Sequence, residues 1–297
     1  MTAPDQIVID RVRRNPTLHP DALSDEEFAT IPWHSHAASE RSSQVFAISA
    51  FGPLRRNRCR DHVIADLVSA SFPSAKTVAR PRRWDVLLES QCPELLSEYG
   101  SKQPTQIDVL LKSSAAVIAI ESKFLTDARE GFGGCGQYTS GKCEGYHGVG
   151  SDKTTRSAAW CRLEHWDGIR SPRTYWAFGK SFFRPDVMRE QAPGDLCPFK
   201  GANYQLMRNF LFAAALAMRE GKPQFGVLAI SPEKTQGVLS DQITRFRERI
   251  VTPAYADCVQ LTTYEAYSRI LRTNGEAEAL ALASFLDERL AKFTGPF

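Results

Sequence analysis

The chain has 297 residues, 42% hydrophobic, 24% charged and 10% aromatic, a composition that can bury a substantial core and excludes a disordered or fibrous chain. Its longest uninterrupted apolar run, Phe210 to Met218, is nine residues, far short of the roughly 18 needed to cross a bilayer, and Met1 to Asn15 has no apolar signal core, so neither membrane insertion nor secretion is expected. The formal net charge of +3 is too small to announce a polyanionic partner by itself.

Taken in chain order, the first forty residues carry Pro4, Pro16, Pro20 and Pro32 without sustained periodicity, and 1–41 reads as an arm or short helices laid on a main domain at 42–297. Within that arm, Trp33-His34-Ser35-His36 has two alternating histidines, a pattern more often solvent-facing than metal-binding. From Ser42 to Phe72 apolar residues recur at three and four positions, interrupted by Gly52-Pro53, which predicts two helices or one kinked helix. Arg55, Arg56, Arg58 and Arg60, followed by Arg80, Arg82 and Arg83, place seven arginines within 29 residues. Arginine suits phosphate, so Arg55, Arg56, Arg58, Arg82 and Arg83 are candidate nucleic-acid contacts; the competing reading is a solvated helix face.

After Pro81 the pattern turns to short β-rich stretches at 84–88, 106–112 and 116–124, which read as a meander. Residues 131–150 hold eight glycines and read as a long loop. Trp160, Trp166, Tyr175, Trp176, Phe178, Phe182 and Phe183 form an aromatic group better suited to a core than to base stacking. A strong helix is expected from Tyr204 to Met218, with Leu206, Phe210, Ala213, Ala214 and Ala217 on one stripe. A buried strand at 225–230, a helix at 240–250, a strand at 258–262 and helices from Tyr264 and from Glu276 complete the chain.

Strand periodicity places Glu121 and Lys123 on one face, with Ile118, Ile120 and Phe124 on the other. The apolar set belongs to a core layer, so the charged pair is expected to point into a cleft or solvent. A two-residue turn at Ser113-Ser114 would put Asp108 opposite Ala119, on the Glu121 face. A four-residue loop would put it directly opposite Glu121, and a three-residue loop would put it on the wrong face. In either even case two carboxylates converge beside a lysine, an arrangement that calls for a hard divalent cation such as Mg²⁺.

Asp108, Glu121-Ser122-Lys123, the preceding helix, the meander and the Tyr204-Gln205 helix together resemble the PD-(D/E)XK nuclease superfamily. Ser42-Ser43-Gln44-Val45-Phe46 and the strand running from Glu121 into Gly131-Phe132-Gly133 look like a bacterial restriction-endonuclease branch of it. The resemblance covers about 42–232. Pro104, rather than a neighbour of Asp108, is the nearest proline. The resemblance implies an α/β fold, a restriction-endonuclease-like mixed central sheet flanked by helices, and Mg²⁺-dependent hydrolysis of phosphodiesters, with DNA expected over RNA, a homodimer as a candidate state and a role in defence. It further implies that Asp108, Glu121 and the Ser122 carbonyl hold the metal. Glu89, at the end of the first strand, is the candidate third ligand. Lys123 would position a water, Gln205 would orient Lys123 or that water, and Arg208 would contact phosphate. A non-catalytic nucleic-acid-binding module on the same fold is the alternative from another class.

Seven cysteines, odd in number and irregularly spaced, point to free thiols in a reducing cytoplasm. Cys135, Cys143, Cys161 and Cys197 could still ligate zinc or an iron–sulfur cluster, making the protein a metal-binding one without nuclease activity, although their spacing matches no paired Cys-x-x-Cys ribbon. Gly179-Lys180-Ser181 lacks the upstream glycine of a phosphate loop, and Gly131 to Gly136 lacks a strand-to-helix context for a dinucleotide site.

Overall fold

Leucine- and isoleucine-rich runs bounded by turn residues pair here because each can bury one or both faces. The computed structural model describes residues 6–72, 83–101, 103–140, 161, 163, 173–188 and 197–294. Helices α1 (Gln6–Arg13), α2 (Asp25–Thr30), α3 (Ser43–Phe51) and α4 (Arg60–Ser71) precede strands β1 (Asp85–Gln91), β2 (Gln106–Lys112) and β3 (Ala116–Ser122). Short helices α5 (Leu125–Glu130), α6 (Gly136–Thr139), α7 (Tyr175–Gly179) and α8 (Pro185–Met188) follow, then α9 (Tyr204–Arg219), β4 (Gln224–Ser231), α10 (Gln236–Arg245), β5 (Val259–Thr263), α11 (Tyr264–Asn274) and α12 (Ala277–Thr294). The helix expected at 240–250 begins earlier and ends in a π-helical turn, Phe246–Ile250.

The five strands lie in the order β1-β2-β3-β4-β5. β1, β2 and β3 form an antiparallel meander, and β4 and β5 run parallel to β3, an α/β arrangement compatible with a restriction-endonuclease-like fold. On one face Val109, Leu111, Ile118 and Ile120 pack with α3, α4, α11 and α12; on the other Val117, Ala119, Val227 and Ala229 pack with α9 and α10. Every residue of β3 is buried, as expected of a central strand with helices on both faces.

The second face contains Tyr175, Trp176, Phe182 and Phe183 in its core, with Phe178 packed against them, so these aromatics are core rather than base platforms; Trp160 and Trp166 lie outside the described residues. Gly179 is a packing residue, because a Cβ there would meet the Phe183 ring at 2.6 Å. The N-terminal helices are stapled to the body. Val12 and Phe28 pack against Val45, and Glu27 closes a capping box with Ser24 while accepting from Arg55 Nη1 at 2.6 Å and Arg56 Nη2 at 2.7 Å. Among the described residues no helix is long and apolar enough to cross a membrane, and no cysteine is in a disulfide.

Candidate active site

The β2–β3 register decides the site. Val109 pairs with Ile120 and Lys112 with Val117, so the next step along the ladder sets Asp108 across from Glu121, the register of the four-residue loop. Ser113 closes that connection, its N–H donating to the Ala116 carbonyl at 3.0 Å and its Oγ accepting from Ala116 N at 3.0 Å. In β1, Leu88 pairs with Val109 and Ser90 with Ile107. Glu89 is therefore in the row of Asp108, and Glu89, Asp108 and Glu121 form one line across three neighbouring strands.

Lys123 and Glu121 do share a face, but it is not an open cleft. Glu121 is 1% exposed and Lys123 7%, because α9 lies over this face and supplies polar partners. Lys123 Nζ is 3.0 Å from Glu121 Oε1 and donates to Gln205 Oε1 at 2.6 Å. Asn209 Nδ2 donates to Glu121 Oε2 at 2.5 Å. This contact has a trace in the sequence, since Gln205 and Asn209 are four residues apart and so share a helix face. An exposed, weak ion pair between Glu121 and Lys123 is excluded by this burial.

The Ser122 N–H donates to Asp108 Oδ2 at 2.8 Å, while Lys123 N–H donates to Ile230 O. Alternate residues of β3 thus turn their main-chain groups to β4 and to β2, and the Ser122 carbonyl is directed to the Asp108 side. The Ser122 hydroxyl points the other way, 2.6 Å from the Tyr264 hydroxyl and donating to Ser43 O. Ser43 Oγ in turn accepts from Phe124 N at 2.7 Å, which pins the end of β3 to the start of α3.

The glycine-rich segment has a backbone role at its described end. Tyr204 N–H and Gln205 N–H donate to the Gly133 and Phe132 carbonyls, satisfying first-turn donors of α9 that would otherwise lack partners. Gly131 needs its freedom, with φ +75° and a Gln242 side chain 2.4 Å from where a Cβ would sit. Phe132 itself is buried beneath Lys123 Nζ, 6.0 Å from its ring centre.

Electrostatics follow from this crowding. Burial raises the Asp108 carboxyl well above its usual range, and the nearby charges of Glu121 and Glu89 add to the rise while Lys123 opposes it. Burial likewise pushes Glu89 up to about 8, against hydrogen bonds from Gln44 and Gln106 and with a further push from Glu121. Glu89 has φ +52°, a left-handed conformation costly for a side chain with a Cβ and typical of functional positions. Its Oε2 accepts from Gln106 Nε2, and its Oε1 is buried with no hydrogen-bond partner.

Among the described residues no three histidine, cysteine, aspartate or glutamate side chains are gathered closely enough to cage an ion by themselves. Mg²⁺ does not require such a cage, since it is held through one or two carboxylates and keeps waters or substrate phosphates for its other positions. Facing carboxylates whose charges disfavour one another, a main-chain carbonyl directed to the same side and an unsatisfied carboxylate oxygen in the same row fit that ion.

Other candidates are engaged elsewhere. Arg55 and Arg56 grip Glu27, and Arg208 donates to Thr105 Oγ1 at 2.9 Å, to the Gln103 carbonyl and to Glu98. Glu98, which sequence reasoning missed, is 2% exposed and also accepts from Thr105 N and Tyr175 Oη. It ties α9 to the segment leading into β2. Arg58 is exposed, Arg83 is 80% exposed on its side chain, and Arg82 lies outside the described residues. Cys135 N–H donates to the Phe199 and Lys200 carbonyls, and Lys200 N–H donates to Cys197 O, bringing those two backbones together. Cys161 packs with Cys197 against the second core, and Cys143 lies outside the described residues.

Comparison with curated proteins and with solved structures returned no match. A match of another kind spans the arm, the sheet and both flanking layers: residues 12–289 fit the family described as Restriction Endonuclease associating with ARP, and the chain belongs to that family.

Proposed function

We propose that the protein is a Mg²⁺-dependent endonuclease of the PD-(D/E)XK type that hydrolyses phosphodiester bonds in DNA, acting in the cytoplasm in defence against foreign DNA, with a homodimer as a candidate state. The observation that carries this reading is the juxtaposition of Asp108 opposite Glu121 with Lys123 3.0 Å from Glu121 and 2.6 Å from Gln205. The family's description as restriction endonucleases supports it.

Asp108, Glu121 and the Ser122 carbonyl would hold the ion, with Glu89 as a further ligand. When bound, Mg²⁺ supplies charge neutralisation at the phosphate and makes water a better nucleophile. Lys123, the cation at the site, orients the attacking water and stabilises negative charge developing on the phosphate oxygens. Gln205 holds Lys123 by accepting one of its N–H groups at 2.6 Å, while Glu121 lies 3.0 Å from the same nitrogen. Burial beneath α9 lowers the local dielectric and strengthens each of these interactions.

Incubation of the full chain with plasmid DNA, with genomic DNA of several modification states and with RNA, each in Mg²⁺ or in EDTA, tests the reading. Cleavage of DNA that needs Mg²⁺ and vanishes in Asp108→Ala is expected. Tight DNA binding without cleavage of any substrate would replace the enzyme by a nucleic-acid-binding module on the same fold.

A further inference from the structure

Asn209 lies in a helix whose buried residues are otherwise leucine, methionine, phenylalanine and alanine, and it is 1% exposed. A buried amide at such a position needs a partner. Its partner is Glu121 Oε2, at 2.5 Å, while Lys123 approaches Oε1 of the same carboxylate at 3.0 Å. Both oxygens of Glu121 are therefore held from the α9 side, and rotation of the carboxylate plane would break one of these bonds or the other. The helix cannot easily withdraw, since Gln205 is bonded to Lys123 one turn earlier and Arg208 is bonded to Thr105 beside it.

We propose that Asn209 is a positioning residue that sets which divalent cation the site accepts, holding Glu121 to one-oxygen ligation and so favouring Mg²⁺ over Ca²⁺. This rests on the metal-site reading above. Ca²⁺ takes six to eight oxygens in flexible geometry and accepts a carboxylate through one oxygen or both, whereas Mg²⁺ demands near-octahedral geometry, which the narrow bite of a two-oxygen carboxylate does not fit. A carboxylate clamped on both oxygens serves the smaller ion and denies the larger one its two-oxygen grip. Loss of the Asn209 donor frees Oε2 and lets Glu121 turn both oxygens to one cation.

The test is calorimetric titration of Mg²⁺ and of Ca²⁺, separately, into the metal-free full chain as wild type, Asn209→Leu and Asn209→Asp. Leucine keeps the bulk without the donor; aspartate keeps the shape and presents only acceptors. The ratio of Ca²⁺ affinity to Mg²⁺ affinity should rise about tenfold in both variants, the scale of one hydrogen bond to a charged group. A merely supporting role for Asn209 would lower both affinities together, and an unchanged ratio in whichever variant folds would overturn the assignment while leaving wild-type Mg²⁺ binding intact. Wild-type protein that binds neither cation would overturn the metal-site reading and this assignment with it.

Discussion

The Ser122 N–H reaches Asp108 Oδ2 across 2.8 Å, tying the carboxylate of β2 to the strand that carries Glu121 and Lys123. The bond settles which oxygen of Asp108 is anchored, in the row that Asp108 shares with Glu89 and Glu121 by strand register. Burial is the main cause that raises both Asp108 and Glu89, and the charge of Glu121 pushes each of them further, so one carboxylate in this row adds to the cost of charging its neighbours.

Removing one of these charges should therefore uncouple metal from stability. Asp108→Asn should abolish cleavage while unfolding at the same temperature as wild type, or higher, in EDTA. Saturating Mg²⁺ should raise the melting temperature of wild type, by the equivalent of about 2.7 kcal/mol at a hundredfold excess over Kd, and leave Asp108→Asn unmoved. Thermal scans with and without Mg²⁺ check this, and an equal Mg²⁺ shift in both proteins would take Asp108 out of the metal site.

Lys123 is expected to matter for chemistry and not for DNA affinity. It is buried against Glu121, so Lys123→Ala leaves an uncompensated buried carboxylate and should cost roughly 3–5 kcal/mol. Lys123→Gln keeps a donor without the charge and is the cleaner variant. It should bind DNA within about twofold of wild type, since one lysine meets at most one phosphate among many, yet show no cleavage in single-turnover assays. Cleavage at the wild-type rate would remove Lys123 from the mechanism.

The Glu27 clamp makes a prediction about pH. Burial alone would raise the Glu27 carboxyl, but Arg55, the Ser24 N–H and the charge of Arg55 outweigh it and hold it at about 2, below its ordinary 4.5. A carboxyl depressed by folding adds stability that is complete above 4.5 and is lost as the pH falls toward 2. Glu27→Gln preserves the capping box but not the ion pairs. Urea titrations should show the variant less stable at pH 7, with the gap from wild type closing between about pH 4.5 and pH 2. A gap independent of pH would mean that the arm is held by its apolar packing alone.

The arginine clusters should divide into two kinds. Arg55→Ala should lower stability, because its guanidinium joins Glu27 and the Ala22 carbonyl, and should leave the salt dependence of DNA binding unchanged. Arg58→Ala with Arg83→Ala, both at exposed positions, should lower the slope of log affinity against log salt by about 0.9 for each phosphate no longer neutralised, without altering sequence preference. Binding isotherms at four or five salt concentrations separate the two. An unchanged slope in the double substitution would return Arg58 and Arg83 to a solvated surface.

Much of this molecule was legible in its amino acids. The strands and the long helix follow from apolar periodicity, and the common face of Glu121 and Lys123 follows from the two-residue period of any strand, whatever surrounds it. Parity also narrowed Asp108 to two registers. Tertiary structure chose between them, because the choice depends on how residues 113–116 close the turn, and both closures satisfy the same alternation. It also decided that the charged pair is buried rather than open, since burial depends on which helix covers the sheet, and α9 begins more than eighty residues after Lys123. Glu89 entered the row of Asp108 through strand pairing, and Asn209 reached Glu121 through helix packing. Arg55 turned to Glu27 through the docking of the arm. Each of these pairings joins residues far apart in the chain, where local propensity and periodicity carry no signal and only the packed fold brings the groups together.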